Sequence, residues 1–267
     1  MKGRANFDDI LKNAFVDTYF QPIVSLSDGN VIGYEALSRG PKGTNFYMPT
    51  ALIAEAKRRN RISDLDVLLR KMALINASKR NILKPLFINI DPIAIYSDDK
   101  ADNVVRRSRD FGIPPHRVVV EISEQNALCS LESFQSLINS YKSDGFQVAI
   151  DNITCNFSNI NAISCLSPNY VKISGRFVHQ INVNYNINRI SELNNVLQIA
   201  RMIGAKIIAV GVENMDELKI LYRMGVDAVQ GNFIGAPSKE VSSVSNKALE
   251  IIEALKRIDL EESTPAE

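Results

Sequence analysis

Short runs rich in β-branched residues alternate along the chain with longer segments of helical period. This alternation is typical of βα units arranged around a mostly parallel sheet. We predict eight strands, at Phe20–Leu26, Val31–Ala36, Leu86–Ile90, Val118–Ile122, Gln147–Asp151, Tyr170–Ile173, Lys206–Val212 and Asp227–Gly231. Only Ser27–Asn30 separates the first two, which leaves no room for a crossover helix. These two strands are therefore predicted to be antiparallel neighbours joined by a hairpin.

Helices are predicted in the segments between the later strands. Thr50 is placed to cap a helix over Ala51–Arg59, and Ser63 is placed to cap a second helix that continues to about Arg80. Further helices are expected near Asp102–Phe111, Leu131–Ser143, Ile190–Ile203, Met215–Met224 and Ser245–Ile258.

Several remaining segments read as loops or surface. The polar segment Gln180–Asn194 is longer than a minimal connection and is predicted to be a flexible excursion. The residues after Leu260 resemble a frayed polar tail. His116 and His179 are both predicted to be surface residues in connections.

Composition favours one ordinary globular domain. The chain has 267 residues, 45% of them hydrophobic and 23% charged, so it can bury a full core. No linker or internal repeat marks a second domain. The fold class predicted is α/β, a modified (β/α)8 TIM-like barrel over residues 1–267 with an antiparallel first strand. Its motif-bearing core spans about 15–240, and a C-terminal helix and tail follow over 241–267.

Charge and cysteine usage narrow the function classes. No apolar run approaches the roughly 20 residues that span a bilayer, and the N-terminus lacks an apolar signal segment, so we expect a cytoplasmic protein without a membrane partner. Cys129, Cys155 and Cys165 lack the spacing of a zinc site, and we expect them to be reduced. The formal net charge of +1 gives no footprint for a nucleic-acid polymer.

Polar residues stand at the ends of most predicted strands. In a barrel the carboxyl ends of the strands form the active-site rim, so such residues are candidates for function. They are Glu35, Asn89, Glu121, Asp151, Lys172, Glu213 and Gln230. Oxygen donors that converge from several strands suit a hard divalent cation such as Mg²⁺ or Mn²⁺. Each carboxylate taken alone could equally be a solvated strand end or a structural ion pair.

The chain resembles the EAL domain family of cyclic di-GMP phosphodiesterases. The resemblance rests on an ordered set of motifs between about Phe20 and Pro237, namely FQPIVSLSDGNVIGYEALSRG, FINI, VVVEISE, VAID, YVKI and GVENMDELKILYRMGVDAVQG. It implies a modified (β/α)8 barrel that binds cyclic di-GMP and opens one phosphodiester with water activated by two metal ions.

The resemblance also implies roles for individual residues. Glu35, Asn89, Glu121 and Asp151 match ligands of the first metal, and Lys172 matches the lysine near the attacking water. Arg39 matches the arginine that grips a ligand phosphate, a task suited to a forked guanidinium. The remaining matches are groove positions Gln21, Leu37, Gln230 and Pro237, and the loop-bracing Glu124.

Three parts of the chain depart from the family pattern. Asn152 stands where the second of two adjacent aspartates is expected, and the Phe-Gly-Thr-Gly that follows is replaced by Ile-Thr-Cys-Asn. Val210 stands at the position of the proposed general base, and Ser174 stands where an aspartate is usual. Glu213 is a further catalytic candidate, but it lies three residues beyond Val210. At most one metal site is therefore expected to be intact.

Three functions are compatible with this pattern. The first is a non-hydrolysing or very weakly active sensor that binds cyclic di-GMP. Its candidate protein partners are a second copy of the chain, in a homodimer, and a signalling protein. The second is a slow metal-dependent phosphodiesterase that produces linear pGpG. The third is a protein-interaction module that no longer uses the nucleotide.

Overall fold

The computed structural model describes residues 6–91, 104–123, 131–154, 163–182, 187–241 and 243–263. Eight strands in sequence order close into a barrel, which confirms the predicted fold class. Strand β1 (Asp17–Ser25) pairs antiparallel with both β2 (Val31–Arg39) and β8 (Ala228–Gln230). The other neighbouring strands pair in parallel, so their carboxyl ends share one rim.

The five strands between β2 and β8 lie close to their predicted positions. They are β3 (Leu86–Ile90), β4 (Val118–Ser123), β5 (Gln147–Ile153), β6 (Tyr170–Ile173) and β7 (Lys206–Val210). The first hairpin is longer than expected, because β1 begins at Asp17 and β2 continues to Arg39. The extra length matters, since it carries β1 and β2 up to the rim.

Helices cover the outside of the barrel. Those described are α1 (Phe7–Asn13), α2 (Pro49–Arg58), α3 (Ile62–Lys79), α4 (Leu131–Ser143), α5 (Gly175–Asn182), α6 (Ile187–Ile203), α7 (Met215–Arg223) and α8 (Asn246–Ser263), with 3₁₀ turns at Ser108–Phe111 and Pro115–Arg117. The sequence did not predict α1 or α5. The described part of the chain contains no helix that is long and apolar enough to cross a membrane.

The predicted caps of α2 and α3 are wrong. Helix α2 begins at Pro49, so Thr50 lies inside its first turn. Proline fits this first position because its missing N–H would have no partner there. Helix α3 begins at Ile62, and Ser63 is likewise inside it. Neither Met48 nor Arg61, the residues at the capping positions, makes a side-chain cap hydrogen bond.

The flexible excursion predicted for residues 180–194 is also wrong over most of its length. Residues 180–182 belong to α5 and residues 187–194 belong to α6, while 183–186 lie outside the described residues. His179 lies within α5 rather than in a connection. His116 is exposed, as expected. The tail after Leu260 continues α8 as far as Ser263.

The apolar core forms separate layers inside and outside the barrel wall. A large cluster fills the space between the strands and the outer helices. A smaller inner cluster fills the barrel itself, and it consists of Ile23, Phe87, Val119, Ala149, Tyr170, Ile208 and Ala228. Because side chains alternate across a strand, the residues two positions beyond these inner residues also point inward. The inner cluster therefore lies directly beneath the rim residues.

Candidate functional site

One layer of side chains above the inner cluster forms the candidate site. Six strands place an inward-facing residue two positions after a member of that cluster, and these residues are Asn89, Glu121, Asp151, Lys172, Val210 and Gln230. The first hairpin adds two more, because Gln21 on β1 pairs directly with Glu35 on β2. All the predicted metal ligands, together with Lys172, Gln21 and Gln230, are thus brought to one rim.

Lys172 lies at the centre of this layer. Its Nζ is 2.9 Å from Glu35 Oε2 and 3.9 Å from Asp151 Oδ1, and it also donates a hydrogen bond to Glu121. Lys172 and Glu121 are almost completely buried, while the Asp151 side chain is 26% exposed. A buried ammonium shared by three carboxylates stabilises charge that burial alone would disfavour.

Neutral side chains complete the surroundings of Glu35. Asn89 donates to Glu35 Oε1 over 3.1 Å, and Gln230 donates to Glu35 Oε2 over 2.6 Å. Gln230 is also 3.1 Å from Gln21 Oε1, and Gln21 in turn donates to the carbonyl of Gly235 over 3.1 Å. These bonds connect Glu35 to both sides of the rim and fix its orientation.

The rim groups differ in their affinity for protons. Burial, followed by the nearby charge of Glu35, raises the pKa of Glu121 well above its ordinary value despite the Lys172 ammonium. Burial also raises the pKa of Asp151. Although burial opposes it, the Lys172 ammonium lowers the pKa of Glu35. Burial likewise opposes the charged lysine, but the three carboxylates raise the pKa of Lys172. Burial therefore favours the neutral forms of Glu121 and Asp151, whereas the contact between Glu35 and Lys172 favours the charged forms of both partners.

The donor chemistry of the rim fits a hard divalent ion. Glu35, Asn89, Glu121 and Asp151 offer oxygen ligands, and the buried Oε2 of Glu121 has no hydrogen-bond partner among the described residues. Within the described ranges no three acidic, histidine or cysteine side chains are already arranged to hold an ion. The point that the three carboxylates share is occupied by the Lys172 ammonium. An ion bound by these residues would polarise a phosphoryl oxygen and lower the pKa of a bound water.

Val210 is the apolar member of the inward layer. It lies at the end of β7 beside Gln230 and packs against the inner cluster. A valine side chain has no group that accepts a proton or binds a metal, so this side of the rim lacks the chemistry present at the other strand ends.

Asn152, the second altered position, is exposed and has an unusual backbone conformation. Its φ is 64°, in the left-handed region that asparagine tolerates better than most residues, and the residue is exposed. The pairing between β5 and β6 shifts register between Ile150 and Ile153, around this position. The altered positions Cys155 and Asn156 lie outside the described residues, as does Glu124.

Glu213 is placed apart from the rim network. Its side chain is 62% exposed, and His179 Nε2 lies 3.9 Å from Glu213 Oε1. His179 Nδ1 is 2.8 Å from the buried Glu217, which also accepts a hydrogen bond from the Glu213 backbone N–H over 2.7 Å. Ser174, at the position of the missing aspartate, accepts from the Phe177 backbone N–H near the start of α5.

Arg39 and the predicted groove positions Leu37 and Pro237 lie near the edge of the rim. Arg39 ends β2 and donates to the Ser38 carbonyl over 2.8 Å, and its guanidinium lies 5.4 Å from the centre of the Tyr19 ring. Leu37 pairs with Tyr19 across the hairpin and is partly exposed. Pro237 is half-buried beyond β8.

A cavity of about 270 Å³ opens beside Asn89, between the strand ends and helices α2 and α3. Asp66 and Arg70 on α3 form a buried ion pair in its wall, and burial raises the pKa of Asp66 to about 6 despite Arg70. Sequence reasoning treated this helix only as an apolar face and missed the pair. The pattern in the sequence that indicates this pair is a carboxylate and an arginine four residues apart within a mostly apolar helix. A hollow of about 330 Å³ lies at the opposite end of the barrel, lined by Lys206, Tyr222 and Asp227 among others.

Comparison with known proteins identifies the family. The model of the family described as EAL domain matches residues 4–237. The chain belongs to the EAL domain family. The strand-end rim described above is therefore the rim of an EAL barrel.

Relatives and solved structures agree with this assignment. This chain is 28% identical over 233 residues to PdeG of Escherichia coli, which is named a probable cyclic di-GMP phosphodiesterase. The aligned region covers 85% of this chain and 45% of PdeG. A standalone EAL protein from Vibrio cholerae, solved with cyclic di-GMP bound, superposes with a TM-score of 0.74 at 25% identity over 88% of this chain and 97% of that one. YkuI of Bacillus subtilis, solved with cyclic di-GMP and calcium, gives a TM-score of 0.78 at 22% identity over 97% of this chain and 64% of that one. The EAL chain spans about half the length of the curated relatives PdeG and YkuI.

Proposed function

We propose that this EAL domain binds cyclic di-GMP at the strand-end rim together with one Mg²⁺ or Mn²⁺ ion, and that it acts as a sensor that hydrolyses the ligand very slowly or not at all. The observation that carries the proposal is Val210. It is an apolar side chain packed into the inward layer at the strand end where the family places its proposed general base.

Binding is supported by the groups that the rim retains. The carboxylates of Glu35, Glu121 and Asp151 surround Lys172, and Asn89 lies against Glu35. Arg39 lies at the edge with a forked guanidinium suited to a phosphate. Solved EAL proteins with this fold, including the Vibrio cholerae protein, contain cyclic di-GMP.

A single metal ion is supported by the charge of the rim. Three carboxylates and one ammonium give a net charge of −2 when all four groups are ionised, which one divalent cation neutralises. The family's two further carboxylates are represented by Val210 and Asn152, and Asn152 is exposed with a left-handed backbone. An amide oxygen can bind a hard cation, but it supplies no charge.

Slow turnover follows from the residues at positions 210 and 152, Val210 and Asn152. Loss of a positioned general base costs about 10²–10⁴ in rate. Weaker binding of a second metal removes further stabilisation from the transition state. Affinity for the ground state need not fall equally, because groups used mainly in the transition state contribute little to ligand binding.

Calorimetry tests the binding half of the proposal. Cyclic di-GMP is titrated into the protein in EDTA and in Mg²⁺ or Mn²⁺, and the cell contents are then analysed by chromatography. We expect saturable binding, strengthened by the metal, with the ligand recovered intact. No binding at about 100 μM ligand, a concentration that corresponds to a weak affinity, would contradict the proposal.

A slow phosphodiesterase that produces linear pGpG is the second candidate. The observation that favours it is the survival of Glu35, Asn89, Glu121, Asp151 and Lys172 as one connected cluster. Metal-dependent linear product that disappears in Glu35→Ala would select this function.

A further inference from the structure

Two cationic side chains share one tyrosine ring at the edge of the rim. The guanidinium carbon of Arg39 lies 5.4 Å from the centre of the Tyr19 ring, and Lys239 Nζ lies 6.0 Å from the same centre. Tyr19 reaches this edge because β1 runs antiparallel to β2 and pairs Tyr19 with Leu37. The ring face is electron-rich and attracts both cations, so Tyr19 holds them as neighbours.

Lys239 is held at this place by backbone and side-chain contacts. Ser238 and Phe20 exchange two backbone hydrogen bonds, of 2.7 and 3.1 Å, which tie the segment after β8 to β1. Arg80 donates to the Lys239 carbonyl, and Lys239 Nζ lies 2.6 Å from Asp17 Oδ2. The Lys239 side chain is nevertheless 47% exposed. Its position is thus fixed while its ammonium remains within reach of a ligand.

The local charge favours an anion. Arg39 and Lys239 contribute two positive charges beside the ring, against the single carboxylate of Asp17 that contacts Lys239. A bound anion at this edge would be attracted to both cations. Arg39 gives one hydrogen bond to Ser38, and a guanidinium has five N–H donors.

We infer that Lys239 is a second phosphate-binding residue beside Arg39, and that Tyr19 is the positioning residue that holds both cations. The ligand class is a cyclic dinucleotide, whose phosphodiesters each carry one negative charge, so this inference rests on the proposed function. The contact needs no metal ion. It therefore strengthens ligand binding at the rim of a chain in which Asn152, Val210 and Ser174 replace acidic residues of the family.

Calorimetry with cyclic di-GMP in EDTA tests the role of Lys239. Lys239→Gln removes the charge and keeps a side chain of similar reach, and we expect about 5–10-fold weaker binding with a smaller dependence on salt. The matched control is Lys206→Gln, which removes a lysine from the opposite end of the barrel and should bind like the wild type. Equal affinity of Lys239→Gln and wild type would overturn the inference but not the proposed function. Absence of binding by the wild type in EDTA and in metal alike would overturn both.

Two substitutions of Tyr19 test the positioning role. Tyr19→Phe keeps the ring and loses only the hydroxyl contact with Tyr47, so its affinity should stay within about twofold of wild type. Tyr19→Leu removes the ring and should weaken binding about 3–5-fold. Denaturation midpoints separate this loss from a folding defect. Equal affinity of Tyr19→Leu and wild type, or equal losses in both variants, would overturn positioning by the ring.

Discussion

Lys172 lies among the carboxylates of Glu35, Glu121 and Asp151, so this one residue supplies the positive charge of the buried rim. Its ammonium and a divalent metal ion have the same electrostatic partners. A metal ion that took the place of Nζ would displace it from these carboxylates, and the lysine offsets the charge of the acidic cluster when no metal is bound.

Replacing Lys172 with methionine should therefore make stability depend on metal. In EDTA we expect Lys172→Met to lose about 3–5 kcal/mol of unfolding free energy, because buried carboxylates are left without a counter-charge. Mn²⁺ should restore part of this loss by binding the same oxygens. Urea denaturation with and without Mn²⁺ measures both effects. The exposed Lys206→Met is the control, and an equal loss in EDTA and in Mn²⁺ would contradict this view of the rim.

The sequence predicted most of the residues that lie at the rim, because the period of two along a strand and the order of the motifs determine the inward positions. The prediction was wrong for Glu213, which lies beyond the end of β7 and is exposed beside His179. The sequence did not predict how the rim residues contact each other. The hydrogen bonds of Gln230 and Asn89 to Glu35 depend on distances across the barrel, which the order of residues along the chain does not give. The same holds for the two cations on the Tyr19 ring.

A close backbone contact holds the β7–α7 connection against the start of α5 at the rim end of the barrel. Gly211 follows β7 with a φ of 80°, and a Cβ placed there would lie 2.8 Å from the Cα of Gly175 at the start of α5. The β7–α7 connection can approach α5 this closely only because both positions lack a side chain.

Substituting Gly211 should cost more than substituting a glycine of similar backbone in open space. Gly204 has a φ of 71° and no atom within 4 Å of an added Cβ. Gly204→Ala should therefore lose about 1–2 kcal/mol from backbone strain alone. Gly211→Ala should lose at least about 1 kcal/mol more, because of the added contact with Gly175. Urea denaturation of both variants tests this, and equal losses would contradict the contact.

The turn between β1 and β2 contains a carboxylate with a shifted proton affinity. Hydrogen bonds from Asn30 and Ser25 lower the pKa of Asp28 from 3.8 to about 2. Since the folded chain holds this proton less tightly than the unfolded chain, the stabilisation is complete above pH 3.8 and disappears as the pH falls toward 2.

Asp28→Asn should remove that pH dependence. The free energy of unfolding of wild type should exceed that of the variant at pH 7, by less than about 1 kcal/mol because the turn is exposed to solvent. The difference should shrink as the pH falls from 3.8 toward 2. Denaturation curves of both proteins over this range measure it, and a difference independent of pH would show that these hydrogen bonds do not stabilise the ionised turn.

Elements differed in how well the sequence predicted them. Strands were found because their β-branched runs are short and distinct. Helix α1 is only seven residues long, and its buried Phe7 and Ile10 pack against residues from α2 and α3 that are distant in sequence. Helix α5 follows β6 after Ser174 alone, and its polar C-terminal half resembled a loop. Tertiary packing stabilises both helices. In α1 it adds to a local signal that the sequence analysis missed, the Asn6 side chain that accepts a hydrogen bond from the Asp8 N–H.

At the scale of the whole molecule, closure of the barrel brings the site together. The antiparallel β1 places Tyr19 and Gln21 at the same rim as the ends of the parallel strands. The sequence predicted this architecture, including the antiparallel start, and comparison with EAL structures confirms it. The packing of Val210 on the inner cluster became visible only with the barrel closed.

The central claim is that this barrel keeps the binding rim and lacks the groups for rapid hydrolysis. Restoring those groups with Val210→Glu and Asn152→Asp together, in saturating cyclic di-GMP and Mn²⁺, tests it most directly by chromatography of the linear product. We expect little or no product from wild type and at least about 100-fold faster formation by the double variant, abolished by adding Glu35→Ala. Wild-type turnover near the typical enzymatic rate of about 10 s⁻¹, with no gain in the double variant, would contradict the claim.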